Sequence, residues 1–334
     1  ICHCLVGSEM CIRDSHKLGD LIWQLPYFKA ISDHHNQKID LIVRKKTQAK
    51  NILKDVKYIN LINYNDFRKR VFYWVDVCKL IGIFFNNKYT HVYILDKVNK
   101  PAIAAKLSGI KNIIGPGIGN QKKWLTVNKF LTNEDWKMSY SEQSQKFLSI
   151  NSININYIYP EIEIETKRFE KEHPNLMIPG NKISFGIDSF EDYKMWYEDY
   201  FIELADKLYQ KKIFDYIYLI CSPDKSYLAD NIINNSKKNY FVNCSKKDLG
   251  GIILALKNSN FFVGNNSGPL NLAAALKIQS FGLIANDPVD ELKFSKIDII
   301  TPENYDNIRC RERIGMKKLN VERVFTKILE KLKQ

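Results

Sequence analysis

Phe261-Phe-Val-Gly-Asn-Asn-Ser-Gly-Pro-Leu-Asn-Leu-Ala-Ala-Ala-Leu276 decides the fold of this chain. An apolar run ends at Gly264, and a polar turn covers Asn265, Asn266, Ser267 and Gly268. Pro269 then sits where the first turn of a helix tolerates a residue without an N–H. Strand, tight turn and helix in that order make half of a βαβ unit. Such a turn exposes backbone N–H groups at a positive helix end, which suits a diphosphate. Taken alone, the pattern fits a well-capped strand-to-helix turn equally well.

Outward from this stretch, short apolar runs alternate with amphipathic segments of about ten to fifteen residues, the signature of parallel α/β folding. Downstream and upstream in the second half, strands are expected at 183–187, 216–221, 241–243, 261–263, 280–284 and 297–300, with a closing helix at 321–333. The first half repeats the alternation, with strands at 39–43, 58–62, 91–95 and 112–114. Between the halves runs a polar, irregular stretch broken by Pro160, Pro174 and Pro179-Gly180. The chain therefore reads as a domain over 16–160, a linker over 161–181, a second domain over 182–318 and a C-terminal helix over 319–334. A length of 334 residues suits two such domains. Ligands of doubly wound sheets bind at the carboxyl ends of the strands.

Residues 1–15 differ from the rest. They hold three of the seven cysteines and lack the basic start and long apolar core of a secretory signal. They resemble an adapter-derived peptide, so the segment is read as non-native, with the true first strand missing or replaced. The cysteines form no C-x-x-C pair, which favours a reducing compartment and no zinc site.

The net charge of +13 is uneven: residues 1–160 carry 24 Lys and Arg against 12 Asp and Glu, and the remainder is nearly balanced. A basic first half points to an anionic partner, or to solvated lysine-rich faces. The longest apolar stretch, 71–85, is interrupted by Asp76 and Lys79 and is too short to span a bilayer. Its aromatic residues, after Arg68-Lys-Arg70, suit a membrane-surface helix or a core helix; apolar residues around most of its circumference favour the core. No nucleic-acid-binding signature is present, and nucleic acid is not expected as a partner.

Two more segments carry chemistry. Gly186-Ile-Asp-Ser-Phe-Glu-Asp-Tyr-Lys-Met-Trp196 is a strand, a polar loop and a helix start, and places Lys194 within reach of an anion. Lys17-Leu-Gly-Asp-Leu-Ile-Trp-Gln-Leu-Pro26 sets Asp20 at the start of a helix, where a carboxylate also interacts favourably with the helix dipole. Gly115-Pro-Gly-Ile-Gly119 mimics a dinucleotide loop but opens no clear helix and reads as a plain loop. Lys122-Lys123-Trp124 is a small basic and aromatic patch. His34, His35 and His91 show no metal-ligand spacing, and no metal is expected.

In these motifs the sequence resembles glycosyltransferase family 9, the ADP-heptose:lipopolysaccharide heptosyltransferase-like enzymes. The resemblance runs from about Leu18 to the C-terminal helix. It implies a GT-B fold, two Rossmann-like doubly wound domains facing a central cleft, with acceptor bound by the first and nucleotide sugar by the second. Asp20 then matches the general base of an inverting transfer, and Lys194 the cation that meets the donor phosphate. Asp188, Ser189, Asp224, Asn265, Asn266, Ser267 and Gly268 fall at donor positions, and Lys122 and Lys123 would meet the acceptor. Implied partners are a nucleotide sugar, with ADP-heptose first, an anionic glycolipid acceptor and the inner leaflet of a membrane, from the cytoplasmic side. No cofactor beyond the co-substrate is implied.

Departures from the family pattern are also specific. Asn266 stands where Asp is usual and Asn271 where His is usual, which favours a homologue that binds nucleotide sugar without transferring it. Asp188 and Ser189 replace a small neutral pair, so Asp188 must point away from a diphosphate. An acidic ribose-recognising residue falls near Asp224, although an ungapped reading puts Lys225 there.

Overall fold

The computed structural model describes residues 9–12, 18–68, 70, 72–292 and 296–333. The chain divides into two units, Ile1–Ile162 and Glu163–Gln334.

Unit 1 is a five-stranded parallel sheet of β1 (Glu9–Ile12), β2 (Ile39–Val43), β3 (Ile59–Tyr64), β4 (His91–Ile94) and β5 (Asn112–Ile114), ordered β3-β2-β1-β4-β5. Its helices are α1 (Leu18–Ile22), α2 (Leu25–His35), α3 (Ala49–Ile52), α4 (Phe72–Asn87), α5 (Lys100–Leu107) and α6 (Tyr140–Ile150). β1 lies inside the stretch set aside as non-native, yet it is the central strand, paired with β2 on one side and β4 on the other. The first-strand position is thus filled by residues 9–12, while residues 1–8 and 13–15 of that stretch lie outside the described residues. β2 is buried along its whole length, as a central parallel strand must be. A capping box between Ser139 and Glu142 starts α6, a helix the sequence reading passed over.

α4 departs from expectation. It packs Val77, Leu80 and Phe84 into the core of unit 1, with Tyr73, Ile81 and Ile83 against that core, and leaves Phe72, Trp74, Val75 and Phe85 exposed, so the core reading holds for one face of it only. Apolar residues all round a helix predict burial only where neighbours exist on every side. α5 packs beside α4, and the outer face has no such partner among the described elements. No described helix is long and apolar enough to cross a membrane.

Unit 2 is a six-stranded parallel sheet of β6 (Lys182–Gly186), β7 (Tyr216–Ile220), β8 (Phe241–Asn243), β9 (Phe261–Asn265), β10 (Gln279–Leu283) and β11 (Asp298–Ile300). Its order is β11-β10-β9-β6-β7-β8, a doubly wound arrangement that switches direction between β6 and β9. The helices are α7 (Lys167–Glu172), α8 (Glu198–Gln210), α9 (Ser226–Ser236), α10 (Leu249–Lys257), α11 (Gly268–Ala275), α12 (Ile314–Lys318) and α13 (Val321–Leu332). Phe185, Phe201, Leu204, Leu208, Val324 and Ile328 join one core, so α13 completes this unit. α7 lies within the stretch read as an irregular linker. The described cysteines 78, 221, 244 and 310 are free, and burial pushes the Cys221 and Cys244 thiols up to about 12.

The switch point itself is set by two glycines. Gly186 on β6 pairs with Gly264 on β9, and a Cβ at residue 264 would lie 2.6 Å from the Gly186 carbonyl oxygen and 2.8 Å from its Cα. Neither backbone can yield without breaking the ladder. Gly264→Ala is expected to destabilise the protein by about 3 kcal/mol. Gly82→Ala, on exposed α4 where a Cβ meets nothing within 4 Å, is expected to stabilise it by about 0.5–1 kcal/mol. Urea denaturation of the two variants checks both signs.

Candidate functional site

In unit 2, the loops that leave β6 and β9 diverge at the switch point, and they carry most of the residues singled out in the sequence. After β9, Asn265 is fully buried, and its Oδ1 accepts from the Trp196 N–H at 2.8 Å, tying the two loops together. Ser267 is the N-cap of α11 but supplies no side-chain cap. The N–H groups of Gly268 and Leu270 therefore lack acceptors within the helix, and Pro269 offers none to satisfy. Asn265 Nδ2 and Ser267 Oγ are buried with no hydrogen-bond partner among the described residues. Buried donors of this kind are satisfied by a ligand or by water.

After β6, Lys194 reaches two carboxylates, Asp287 at 2.6 Å and Glu191 at 2.8 Å. Burial pulls the Lys194 ammonium down in pKa, but the two ion pairs outweigh it and hold the group above its ordinary value. It is a fixed positive charge at neutral pH. Asp188 resolves the difficulty its charge posed: Oδ2 accepts from the Ser222 N–H at 2.8 Å and the Ser222 hydroxyl at 2.6 Å, so the carboxylate is spent on the loop after β7. Ser189 donates its hydroxyl to the Asn266 carbonyl at 3.0 Å.

Asp224 is exposed, whereas Lys225 contacts the Ser189 carbonyl at 2.8 Å and Asp192 at 2.5 Å. Lys225 thus braces the β6 loop, and its ammonium holds the Asp192 carboxyl below the usual carboxylate range. Arg313 does the same from another direction, donating to the carbonyls of Met195 and Trp196 at 2.8 and 2.9 Å and stacking on the Tyr197 ring. Asn271 donates to the Ser267 carbonyl at 3.0 Å.

Asp287 was not read from the sequence and is the hub of the site. It is 1% exposed and follows β10. Besides Lys194 it takes Arg309 Nε at 2.9 Å and Asn266 Nδ2 at 3.4 Å, while the Tyr305 hydroxyl bonds its backbone carbonyl. A buried carboxylate with two cations is satisfied, and it fixes where those cations stand. The signal was the polar Asn286-Asp287-Pro288 directly after an apolar strand, at the same end of the sheet as the other loops.

In unit 1, Asp20 lies in α1, half-buried, with no hydrogen bond or ion pair to a described residue. Gln24, just beyond that helix, is fully buried with neither side-chain polar atom partnered among the described residues. Lys17 of the same motif lies outside the described residues. Lys122 and Lys123 are exposed on a short 3-10 turn, with Lys122 5.3 Å from the Phe130 ring centre. Elsewhere in unit 2 the fold gathers Glu172 and His173 with Asp248, and their ligand-type atoms lie within 4.8 Å of one another. The sequence had shown no such cluster because Asp248 is distant along the chain. It is occupied in holding structure, since Asp248 caps α10 through Gly251 N–H at 2.9 Å and pairs with His173 at 2.9 Å.

The model of the family "Glycosyltransferase family 9 (heptosyltransferase)" matches residues 78–312. Among solved structures, ADP-heptose lps heptosyltransferase II of E. coli is similar with a TM-score of 0.78 at 15% identity, over 97% of this chain and 98% of that one. A glycosyl transferase family 9 protein of Veillonella parvula gives 0.77 at 15% identity, over 97% and 98% of the two chains. E. coli heptosyltransferase WaaC, solved with ADP-2-deoxy-2-fluoro heptose, gives 0.72 at 15% identity, over 97% and 99%. These likenesses establish the GT-B fold. No curated protein matches the chain.

Proposed function

We propose, from the premise that this chain belongs to glycosyltransferase family 9, that it transfers heptose from ADP-heptose to a lipopolysaccharide-type acceptor with inversion. The observation that carries the reading is the gathering of Lys194, the 265–268 turn and the uncapped start of α11 at the switch point of the second sheet. Neighbouring structures that hold ADP or an ADP-heptose analogue support the choice of donor.

Asp20 acts as general base: it removes the proton of the acceptor hydroxyl as that oxygen attacks the anomeric carbon. The bond to the diphosphate breaks on the opposite face, which inverts the configuration. Lys194 and the N–H groups of Gly268 and Leu270 stabilise the charge that builds on the departing ADP. Asn265, Asn266, Ser267 and Ser189 line the donor position. Asp188 and Asp224 are not assigned donor contacts, the first being bound to Ser222 and the second exposed. Lys122 and Lys123 meet an anionic acceptor, and the enzyme works at the inner leaflet from the cytoplasmic side.

The reading is tested by nucleotide release from ADP-, UDP- and GDP-sugars with and without deep-rough lipopolysaccharide. Acceptor-dependent release from ADP-heptose alone is the expected result. Release from a UDP- or GDP-sugar instead would overturn the donor assignment. A second reading, nucleotide-sugar binding without transfer, is favoured by Asn266 and Asn271; saturable donor binding with no release in any sample would establish it.

A further inference from the structure

The outer face of α4 is apolar, exposed and flanked by base. Trp74 is 61% exposed, Phe85 63% and Phe72 52%. Cys78 is exposed, and a Cβ built on Gly82 meets no atom within 4 Å, so the face is open along its length. At 3.6 residues per turn, Trp74, Phe85, Cys78, Gly82, Val75 and Phe72 spread over one exposed arc of about 160°, turned away from the buried Val77, Leu80 and Phe84. Single exposed apolar residues are ordinary, but several large ones gathered on one open helix face mark an interaction surface.

Its charges are of one sign. Arg70, Lys79 and Lys88 are exposed on or beside the helix, and Arg68 stacks 4.5 Å over the Phe72 ring. The single acid between Arg68 and Lys88, Asp76, is buried and neutralised by Arg68 at 2.7 Å and Lys100 at 3.5 Å. Burial pushes the Asp76 carboxyl up, but these partners outweigh it and hold it below the usual range. The charge partition of the sequence also places nearly all the net positive charge in the half that carries this helix.

We propose that the outer face of α4 docks unit 1 on an anionic lipid surface, with Trp74, Phe85 and Phe72 entering the headgroup boundary and Arg70, Lys79 and Lys88 meeting lipid phosphates. Apolar area together with basic charge is the pair of signals that holds a helix in a bilayer interface. A second copy of the chain is a poorer occupant, because two-fold pairing of this face would bring like charges together. The inference deepens the glycolipid-directed reading and rests on it for the purpose of the docking.

The test is flotation of the full chain with vesicles of phosphatidylglycerol and phosphatidylethanolamine, against vesicles of phosphatidylcholine, none containing glycolipid. The chain is expected to float with the anionic vesicles only, and less as salt rises. The Trp74→Ser, Phe85→Ser double variant is expected to bind at least about tenfold more weakly. Its thermal melting and its turnover on a delipidated oligosaccharide acceptor should be unchanged. Equal flotation of the variant, no flotation of the parent chain, or a lipid-free dimer that the double variant dissolves would each overturn the proposal. A chain that floats yet transfers to no acceptor would keep the docking face and refute the transferase reading. A chain that transfers yet does not float would do the reverse.

Discussion

Asp20→Asn is expected to lower acceptor-dependent transfer by about 10²- to 10⁴-fold, the usual contribution of a positioned general base. Nucleotide affinity should be unchanged, because Asp20 belongs to unit 1 and the proposed donor residues to unit 2. The substitution keeps the shape of the side chain and removes only its ability to accept a proton. Asp20 makes no ion pair with a described residue, so no buried charge is stranded and the melting temperature should hold. The check is kcat at saturating donor and acceptor, with ADP affinity measured on the same preparations. An Asn variant that retains full turnover would remove Asp20 from the chemistry.

Lys194→Ala is expected to lower kcat by about 10²- to 10³-fold, comparable with losing one preorganised group that stabilises developing charge. Here ADP affinity should fall as well, since the cation meets the diphosphate before and after the bond breaks. Lys194→Arg should recover part of both. The fold should survive, because Asp287 keeps Arg309 at 2.9 Å after the ammonium is gone. Steady-state kinetics and calorimetric ADP titration separate the two effects. A variant with normal ADP affinity and normal kcat would place the donor phosphate elsewhere.

What was legible in the sequence was local. The 261–276 stretch could be read because a strand with no charge, a polar turn and a proline at the helix start constrain the backbone within a few residues. The same holds for β2, β5 and β8, whose ends fall where the periodicity put them. What stayed hidden depends on contacts between segments far apart. Nothing near Asp287 in the chain announces that Lys194 and Arg309 will converge on it, or that Lys225 and Arg313 will brace the 187–197 loop.

Composition also leaves out what pairs with and packs around a segment. Residues 9–12, inside the stretch read as non-native, occupy the first-strand position because their backbone pairs with parallel neighbours on both sides. α4 is apolar round most of its circumference, yet only one face of it enters the core, because burial is decided by what packs around a helix. α6 could have been found from Ser139 and Glu142 alone, since that pair satisfies two helix-end donors reciprocally.

The proposed transfer of a heptosyl group onto a lipopolysaccharide core by this family 9 glycosyltransferase is read from the mass of the acceptor. Deep-rough lipopolysaccharide incubated with the full chain and ADP-heptose should gain the mass of one heptosyl residue, and should gain nothing with the Asp20→Asn variant over the same time. ADP formed with no change in acceptor mass, or an acceptor that gains a different sugar from another donor, would refute heptosyl transfer.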